Sequence, residues 1–439
     1  MDRHPLQVRT RKAVASRSLA ARMMIALALL LPLQPVTAEA ILEGERHHPV
    51  QARNGMVATS HTLATEVALN VLKNGGNAMD AAVTAGFALA VTQPRSGNIG
   101  GGGFMLYAPG NGEAVEAIDY REKAPAAATE TMFQDDDGNV VENRSRFTHK
   151  ASGVPGTVAG LAMALERHGT LSLEQALAPA IKLAREGFIV PARFTEGLEQ
   201  ARERLQRWPA TLETFYKEDG SPWQPGEQFR QPELADTLQR IADQGVDGFY
   251  QGKTAQLIVQ EMERHDGLIT LQDLKNYRPR IRQPVHGTYR GHDIYSMSPP
   301  SSGGTHIVQI LNILEGYPLA EFGHNSAAGI HHMAEAMKLA FADRAAYLGD
   351  SDFVDVPTDA LLEDLATRLS WAQRTVALPA GRYETIMPPS TVADMMIYLS
   401  WTMGGRGAEE GRTALAAPGG GTDRLVGGGC RGWWWCGRE

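Results

Sequence analysis

A run of four glycines, Gly100–Gly103 in "RSGNIGGGGFMLYAPG", constrains the fold more than any other feature of the sequence. The apolar segment "FMLYA" follows it directly, and a second strand-like segment, "EAVEAIDY", comes after the turn "PGNGE". The pattern predicts a β-hairpin that is entered through backbone without side chains. Such backbone can approach a neighbouring strand or a ligand more closely than other residues permit.

The order of these segments argues against binding of a nucleotide phosphate. Dinucleotide and P-loop sites place a strand before the glycine loop and a helix after it, whereas here the strand follows, and no Gly-Lys-Ser/Thr follows the run. The formal net charge of -8 and the pI of about 5.9 give no basic surface for nucleic acid. We therefore expect small-molecule chemistry and no nucleic-acid partner.

The first forty residues have the pattern of an export signal. A basic region precedes the apolar stretch "MMIALALLLPL", and "AEA" ending at Ala40 fits cleavage after small residues. The apolar stretch is shorter than the roughly 20 residues that span a bilayer, which makes an uncleaved anchor the weaker alternative. We predict a signal peptide at 1–40, a periplasmic or secreted protein, and no membrane part. The body has no cysteine before the tail, so its core must stabilise it without disulfides.

Helix patterns occupy most of the chain. "TSHTLATEVALNVLKNGG" predicts a helix with Ser60 as a possible N-cap, and "NAMDAAVTAGFALAVTQP" predicts a buried helix that ends before Pro94. Ser172 is expected to cap a further amphipathic helix. "VHGTYRGHDIYSM" alternates like a pair of strands.

Arg121 follows the second strand in "IDYREKAP". Its guanidinium has the geometry for bidentate capture of a carboxylate, although an arginine at a strand end is more often a surface residue.

Two other groups invite a chemical interpretation. Ser301 and Ser302 stand between two prolines and two glycines, but no Gly-x-Ser-x-Gly elbow surrounds them, and helix capping explains them adequately. His331, His332 and Glu335 lie at helical spacing, yet no His-Glu-x-x-His is present. We expect no metal ion there and no cofactor.

Seven stretches in consistent order resemble the large-subunit half of a bacterial gamma-glutamyltranspeptidase, from about residue 46 to 364. They are "GMVAT", "GGNAMDAAV", "SGNIGGGGFML", "IDYREKAP", "ASGVPGTVAG", "YSMSPPSSGGTHIVQILNILE" and "FADRAAYLGDSDFVDVP". No single motif is specific, but the series is.

The resemblance implies an α/β fold, the large-subunit portion of the αββα sandwich of N-terminal nucleophile hydrolases. Such proteins are precursors that cut themselves, and the new threonine N-terminus attacks the γ-glutamyl carbonyl of glutathione. The acyl group then passes to an amino acid, a peptide or water. The resemblance assigns Arg121 to the substrate α-carboxylate and places the glycine run in the central sheet near the site. The catalytic residues belong to the small subunit and are unknown here.

Beyond residue 364 the resemblance ends, and no Thr-Thr-His-x-Ser motif occurs. Thr391 in "PPSTVADM" lies at about the right distance but lacks the histidine and serine. We predict a large-subunit region at 41–364 and, at 365–439, a divergent tail produced by a change of reading frame. Cys430 and Cys436 flank three tryptophans there, where a disulfide loop, a metal clip and a binding patch remain alternatives.

Two functional classes remain open. The chain is either an incomplete representative of a γ-glutamyl-transferring enzyme, or a non-catalytic remnant or scaffold that still binds glutamyl carboxylates. A cephalosporin-acylase-like hydrolase of the same fold is a further alternative.

Overall fold

The structure is a computed structural model that describes residues 51–372. The predictions for 1–40, Thr391, Cys430 and Cys436 lie outside these residues. The described residues fall into two compact units: 51–308 with Ala340–Val356, and Gln309–Leu339 with 357–372.

The described residues are mixed α/β and mainly helical. The helices are α1 (Thr62–Lys73), α2 (Ala78–Thr92), α3 (Arg144–Phe147), α4 (Thr157–His168), α5 (Leu173–Glu186), α6 (Ala192–Leu205), α7 (Pro209–Phe215), α8 (Pro232–Gln244), α9 (Asp247–Tyr250), α10 (Gly252–Arg264), α11 (Leu271–Asn276), α12 (Thr305–Glu315), α13 (Leu319–Phe322), α14 (Ala327–Tyr347) and α15 (Thr358–Ala372), with a 3-10 turn at His149–Ala151. The strands are β1 (Phe104–Tyr107), β2 (Glu116–Asp119), β3 (Phe188–Ile189), β4 (Gln228–Phe229), β5 (Arg280–Arg282), β6 (Val285–Tyr289) and β7 (His292–Ser296).

The two hairpins predicted from the sequence are confirmed. Strands β1 and β2 pair antiparallel with Phe104 opposite Asp119, and β6 pairs with β7 in the same way. Strand β5 extends the first hairpin to a three-stranded antiparallel sheet in the order β1-β2-β5, with Ala117 opposite Arg282. Strands β3 and β4 form a further pair.

The main core lies where α2, α4, α5 and α8 pack together. Helix α2 is mostly small and apolar and largely buried, with Val83, Phe87 and Val91 fully buried, as expected for a helix packed in the interior. Leu177 of α5 and Leu238 of α8 join the same cluster. Ile118 connects β2 to this cluster, so the helices support the strand that leads to Arg121.

Capping groups fix the ends of these helices. Ser172 caps α5 as predicted, through a capping box with Gln175. The prediction for Ser60 is wrong: the N-cap of α1 is His61, whose Nδ1 accepts a hydrogen bond from the Leu63 amide at 3.3 Å. The Ser60 hydroxyl instead bonds Gln93 Oε1 at 2.5 Å.

Asp80 is a buried carboxylate that joins the start of α2 to the loop between α4 and α5. It accepts hydrogen bonds from the amides of Asn77 (2.8 Å), Thr170 (2.7 Å) and Leu171 (3.0 Å), and from the Thr170 hydroxyl (2.7 Å). Burial alone would raise the pKa of Asp80, but these donors outweigh it and hold the pKa below its usual value.

The glycine run approaches a neighbouring strand segment, which was one of its two predicted partners. Gly103 and Tyr120 exchange backbone hydrogen bonds of 3.0 and 3.2 Å, and the Gly101 carbonyl accepts the amides of Gly156 (2.7 Å) and Thr157 (3.0 Å). A Cβ at Gly156 or Gly160 would overlap Tyr120. Glycine is therefore needed at several points around this one tyrosine.

In the second unit, Ile313 and Leu314 of α12 pack against Ala336 of α14. Ile330, Met333 and Met337, which share one face of α14, are 50%, 41% and 46% exposed. Among the described residues, no helix is both long and apolar enough to cross a membrane.

We expect Gly102→Ala to destabilise the protein. A Cβ at Gly102 would lie 2.5 Å from the Tyr120 carbonyl oxygen and 2.7 Å from the Glu122 nitrogen, which are backbone atoms that cannot turn aside. Overpacking of this kind costs about 1–3 kcal/mol, measurable by urea unfolding.

The matched control is Gly110→Ala, because a Cβ there meets no atom within 4 Å. Equal unfolding midpoints for the two variants would contradict the close-approach explanation.

Candidate functional site

Arg121 stands two residues beyond the end of β2, and its backbone is fixed at both polar groups. Its amide donates to Asp119 Oδ1 at 3.0 Å, and its carbonyl accepts the Tyr277 hydroxyl at 2.8 Å. The side chain is exposed, with its Cζ 5.9 Å from the centre of the Phe104 ring. Within residues 51–372 the guanidinium forms no ion pair.

Two buried tyrosines support the backbone of Arg121. Tyr277 stacks on Tyr250 with ring centres 5.8 Å apart and an angle of 5° between the planes. The Tyr250 hydroxyl donates to the Pro155 carbonyl at 2.8 Å. Burial raises the pKa of both phenols, which are protonated donors at neutral pH already at the ordinary value of about 10.

A network of ion pairs holds Asp119 through its second carboxylate oxygen, Oδ2. Arg282 Nε donates to Asp119 Oδ2 at 2.7 Å, and Arg282 Nη1 donates to Asp352 Oδ1 at 3.1 Å. Arg280 reaches the second oxygen of Asp352 at 3.1 Å. The side chains of Asp119, Arg282 and Asp352 are only 8%, 13% and 17% exposed, so solvent screens these pairs weakly.

Burial and these neighbours set the protonation of the network. Burial by itself would raise the pKa of Asp352, but the hydrogen bonds and charge of Arg282 and the charge of Arg280 bring it below its ordinary value. Burial would lower the pKa of Arg282, yet its hydrogen bonds to Asp119 and Asp352 raise it. Burial, followed by the charge of Arg280, lowers the pKa of Lys123.

The two serines occupy a turn before α12, as the capping interpretation predicts. Ser301 Oγ accepts the Gly303 amide at 3.1 Å, and the Ser301 amide donates to the Ser298 carbonyl at 3.1 Å. No hydrogen bond joins Ser301 or Ser302 to a histidine or carboxylate among the described residues. Helix-entry geometry therefore accounts for Ser301.

The residues that sequence reasoning considered for a metal do not form a site together. Glu335 pairs with Lys338 at 2.9 Å, and His332 contacts the Ala328 carbonyl, Tyr317 and Phe322. Within residues 51–372 the cluster with metal-ligating side chains is a different one: His149, Glu261 and His265. Its local signal was the four-residue spacing of Glu261 and His265 in "QEMERHDG", where Glu261 lies in the last turn of α10 and His265 is its C-cap.

A Gly-Lys-Thr triplet does occur elsewhere, at Gly252–Thr254. It opens α10 and is preceded by the helix α9, not by a strand. The Thr254 hydroxyl is buried, donates to the Gly248 carbonyl at 2.7 Å and accepts Arg240 Nε at 3.0 Å. These bonds explain Thr254 as a structural residue without a phosphate.

Comparison with known proteins decides the family. The sequence model of gamma-glutamyltranspeptidase matches residues 64–380. The chain belongs to the gamma-glutamyltranspeptidase family. It is 50% identical to the glutathione hydrolase proenzyme of Escherichia coli K12 over 321 residues, which are 73% of this chain and 55% of that protein. The acylase ACY 1 proenzyme of Pseudomonas sp. SE83 is 40% identical over 321 residues, 72% of this chain and 57% of that protein.

Solved structures agree with this assignment. The gamma-glutamyltranspeptidase of Helicobacter pylori is similar with a TM-score of 0.72 and 45% identity, covering 78% of this chain and 96% of that one. The cephalosporin acylase of Bacillus halodurans has a TM-score of 0.63 at 29% identity, covering 74% of this chain and 62% of that one. The predicted family and its N-terminal nucleophile hydrolase fold are confirmed, for the large-subunit region.

This gamma-glutamyltranspeptidase-family chain spans about half the length of the curated relatives that it matches, 55% for the Escherichia coli protein. The boundaries at residues 40 and 364, and the role of Arg121, stay predictions.

We expect Asp352→Asn to lower the free energy of unfolding by about 2 kcal/mol at pH 7, because a charge-assisted pair with Arg282 and Arg280 is lost. The folded-state pKa of Asp352 is lowered, so its contribution is complete above the ordinary carboxyl value of about 3.9 and disappears as the pH falls through the folded value. Urea unfolding should be measured between pH 7 and pH 3.5. The difference in the free energy of unfolding between the parent and Asp352→Asn should stay constant over most of this range and become smaller only near pH 3.5.

Asp293→Asn is the control, since Asp293 is 66% exposed and pairs with His286 on the surface. If Asp352→Asn lowers the free energy of unfolding no more than Asp293→Asn does, the network adds nothing to stability.

Proposed function

We propose that this chain carries the carboxylate-recognition part of a gamma-glutamyltransferase or glutathione hydrolase. The reaction transfers the γ-glutamyl group of glutathione, or of a related compound, to an amino acid, a peptide or water through a threonine acyl-enzyme. Membership of the family and relatives named glutathione hydrolase support the reaction class.

The observation that carries the proposal is that Arg121 combines a fixed backbone with an exposed guanidinium. Its backbone is held by Asp119 and Tyr277, while its guanidinium is exposed and has no carboxylate partner among the described residues. A guanidinium can present two parallel donors to the two oxygens of an α-carboxylate. The ordering cost of the main chain is met before the ligand arrives, which favours binding.

We further propose that the chain is catalytically incomplete by itself. The sequence contains no Thr-Thr-His-x-Ser, and several relatives are named proenzymes. The exposed Ile330, Met333 and Met337 form an apolar face that a further polypeptide segment could cover. A small subunit from the same precursor would supply both the cover and the nucleophile.

Two alternatives keep the same site. A non-catalytic remnant or scaffold would bind glutamyl carboxylates without turnover. A hydrolase acting on cephalosporin side chains is supported by similarity to proteins named acylase and cephalosporin acylase.

We propose export to the periplasm or the medium for the intact protein. The support is the basic, apolar and small-residue pattern of residues 1–40. Fractionation of expressing cells, with cleavage read from the mature N-terminus by mass spectrometry, tests it.

Arg121→Ala should weaken binding of a γ-glutamyl ligand by about 10- to 100-fold, the effect of losing about 1.5–3 kcal/mol of charge-assisted hydrogen bonding. Arg121→Lys should recover only part, since an ammonium cannot form the bidentate pair. Isothermal titration of the full chain with γ-glutamyl ligands, with and without the α-carboxylate, gives the affinities.

The control is Arg204→Ala, an exposed arginine on α6. If Arg121→Ala binds both ligands as tightly as Arg204→Ala does, Arg121 is not the carboxylate-binding residue.

Expression of the full chain should give one band on denaturing gels and no release from a γ-glutamyl anilide, because the threonine motif is absent. Two bands together with turnover would overturn the proposed incompleteness. Release from a cephalosporin side-chain substrate alone would favour the acylase alternative.

A further inference from the structure

We propose that His149, Glu261 and His265 form a binding site for one zinc ion. The three side chains come from two elements, the 3-10 turn at His149–Ala151 and the C-terminal end of α10. Their ligand atoms lie within 4.8 Å of one another. This cluster is distinct from Arg121 and from the proposed transferase chemistry.

The distances within the cluster fit a metal better than direct hydrogen bonds. His149 Nε2 and His265 Nε2 lie 3.4 and 3.3 Å from the same oxygen, Glu261 Oε1. Charge-assisted hydrogen bonds are shorter, about 2.7–2.9 Å. Two ligands about 2.0–2.1 Å from a tetrahedral zinc ion lie about 3.3–3.4 Å apart, which matches the two nitrogen–oxygen distances, and all three ligand atoms lie within 4.8 Å of one another.

The donor set selects the class of ion. Two imidazoles and one carboxylate suit zinc and its borderline neighbours, whereas magnesium and calcium prefer oxygen ligands throughout. Three protein ligands leave a fourth position for water. Glu261 and His265 are 39% and 36% exposed, so an ion can enter from solvent, while His149 at 15% forms the buried side.

Neighbouring residues hold the three ligands in place. Arg264 Nη1 lies 3.4 Å from Glu261 Oε2, which leaves Oε1 facing the histidines. Lys150 pairs with Asp266 at 2.7 Å and fastens the 3-10 turn to the loop after α10. A Cβ at Gly267 would lie 3.0 Å from the His149 Cβ, so glycine permits this approach.

Trp208 packs against one side of the cluster, and its fluorescence can report the binding of a metal ion. Its ring centre lies 4.5 Å from that of His149 and 5.0 Å from that of His265, edge-on to both. The two imidazoles stack at 4.6 Å. A paramagnetic ion in zinc's place, such as cobalt(II), would therefore quench Trp208 fluorescence directly.

Zinc here would join two elements near the Arg121 segment. The 3-10 turn leads to Val154, which bridges Lys123, two residues from Arg121. A ligand that binds the folded state alone stabilises it, so zinc should raise the unfolding temperature of the full chain.

The test uses the full chain without a polyhistidine tag, stripped with EDTA, in a Cys430→Ser/Cys436→Ser background that removes the two thiols. Zinc is titrated in competition with a chromophoric chelator. We expect one ion per chain and a higher unfolding temperature, with no comparable effect of magnesium or calcium. Glu261→Gln, which keeps the side-chain shape, and His265→Ala should each weaken binding at least about 10- to 100-fold, since even outer partners of metal ligands have effects of that size.

His331→Ala/His332→Ala is the matched control, a second histidine pair that should leave zinc affinity unchanged. Cobalt(II) should quench the tryptophan fluorescence of the parent protein. In Trp208→Phe the part of this quenching that comes from Trp208 should be lost. Zinc binding by Glu261→Gln and His265→Ala as tight as in the parent would overturn the proposal, and so would quenching that persists unchanged in Trp208→Phe.

Discussion

The close approach of backbone to Tyr120 is the constraint on which the Arg121 region depends. Gly103 pairs with Tyr120, and glycines at Gly156 and Gly160 leave room for its carbonyl and ring. Because strand β2 is joined to the main core through Ile118, the end of the strand is fixed by packing on one side and by glycine contacts on the other. A side chain at any of these glycines would move the segment that carries Arg121, so local steric fit controls the position of a distant charged group.

Much of the fold could be predicted from local pattern. The hairpin of β1 and β2 follows from a glycine-containing turn between apolar segments, and α2 follows from a long stretch of mostly small and apolar residues. Strand β5 carries no such signal, because the sequence "RIR" places arginines at both ends of a three-residue strand. Its pairing with β2 brings Arg282 to Asp119, and this ion pair joins residues far apart in sequence.

The sites show the same limit. Arg121 could be selected only through the family resemblance, because one arginine at a strand end has no distinguishing local pattern. His149 is separated from Glu261 and His265 by several elements, so the sequence alone could reveal at most the spacing on α10. The Ser60 prediction failed because other partners compete for the same groups. The Ser60 hydroxyl bonds Gln93, and the imidazole of His61 caps α1 instead.

The charge arrangement around Asp119 explains how Arg121 stays available. Asp119 is two residues away and could neutralise the guanidinium of Arg121, but both of its oxygens have other partners. The Arg121 amide bonds Oδ1 and Arg282 Nε bonds Oδ2. Arg282 in turn is shared with Asp352, so the second aspartate balances its charge. The network therefore satisfies the buried carboxylate with a different arginine, and the exposed guanidinium of Arg121 forms no ion pair within residues 51–372.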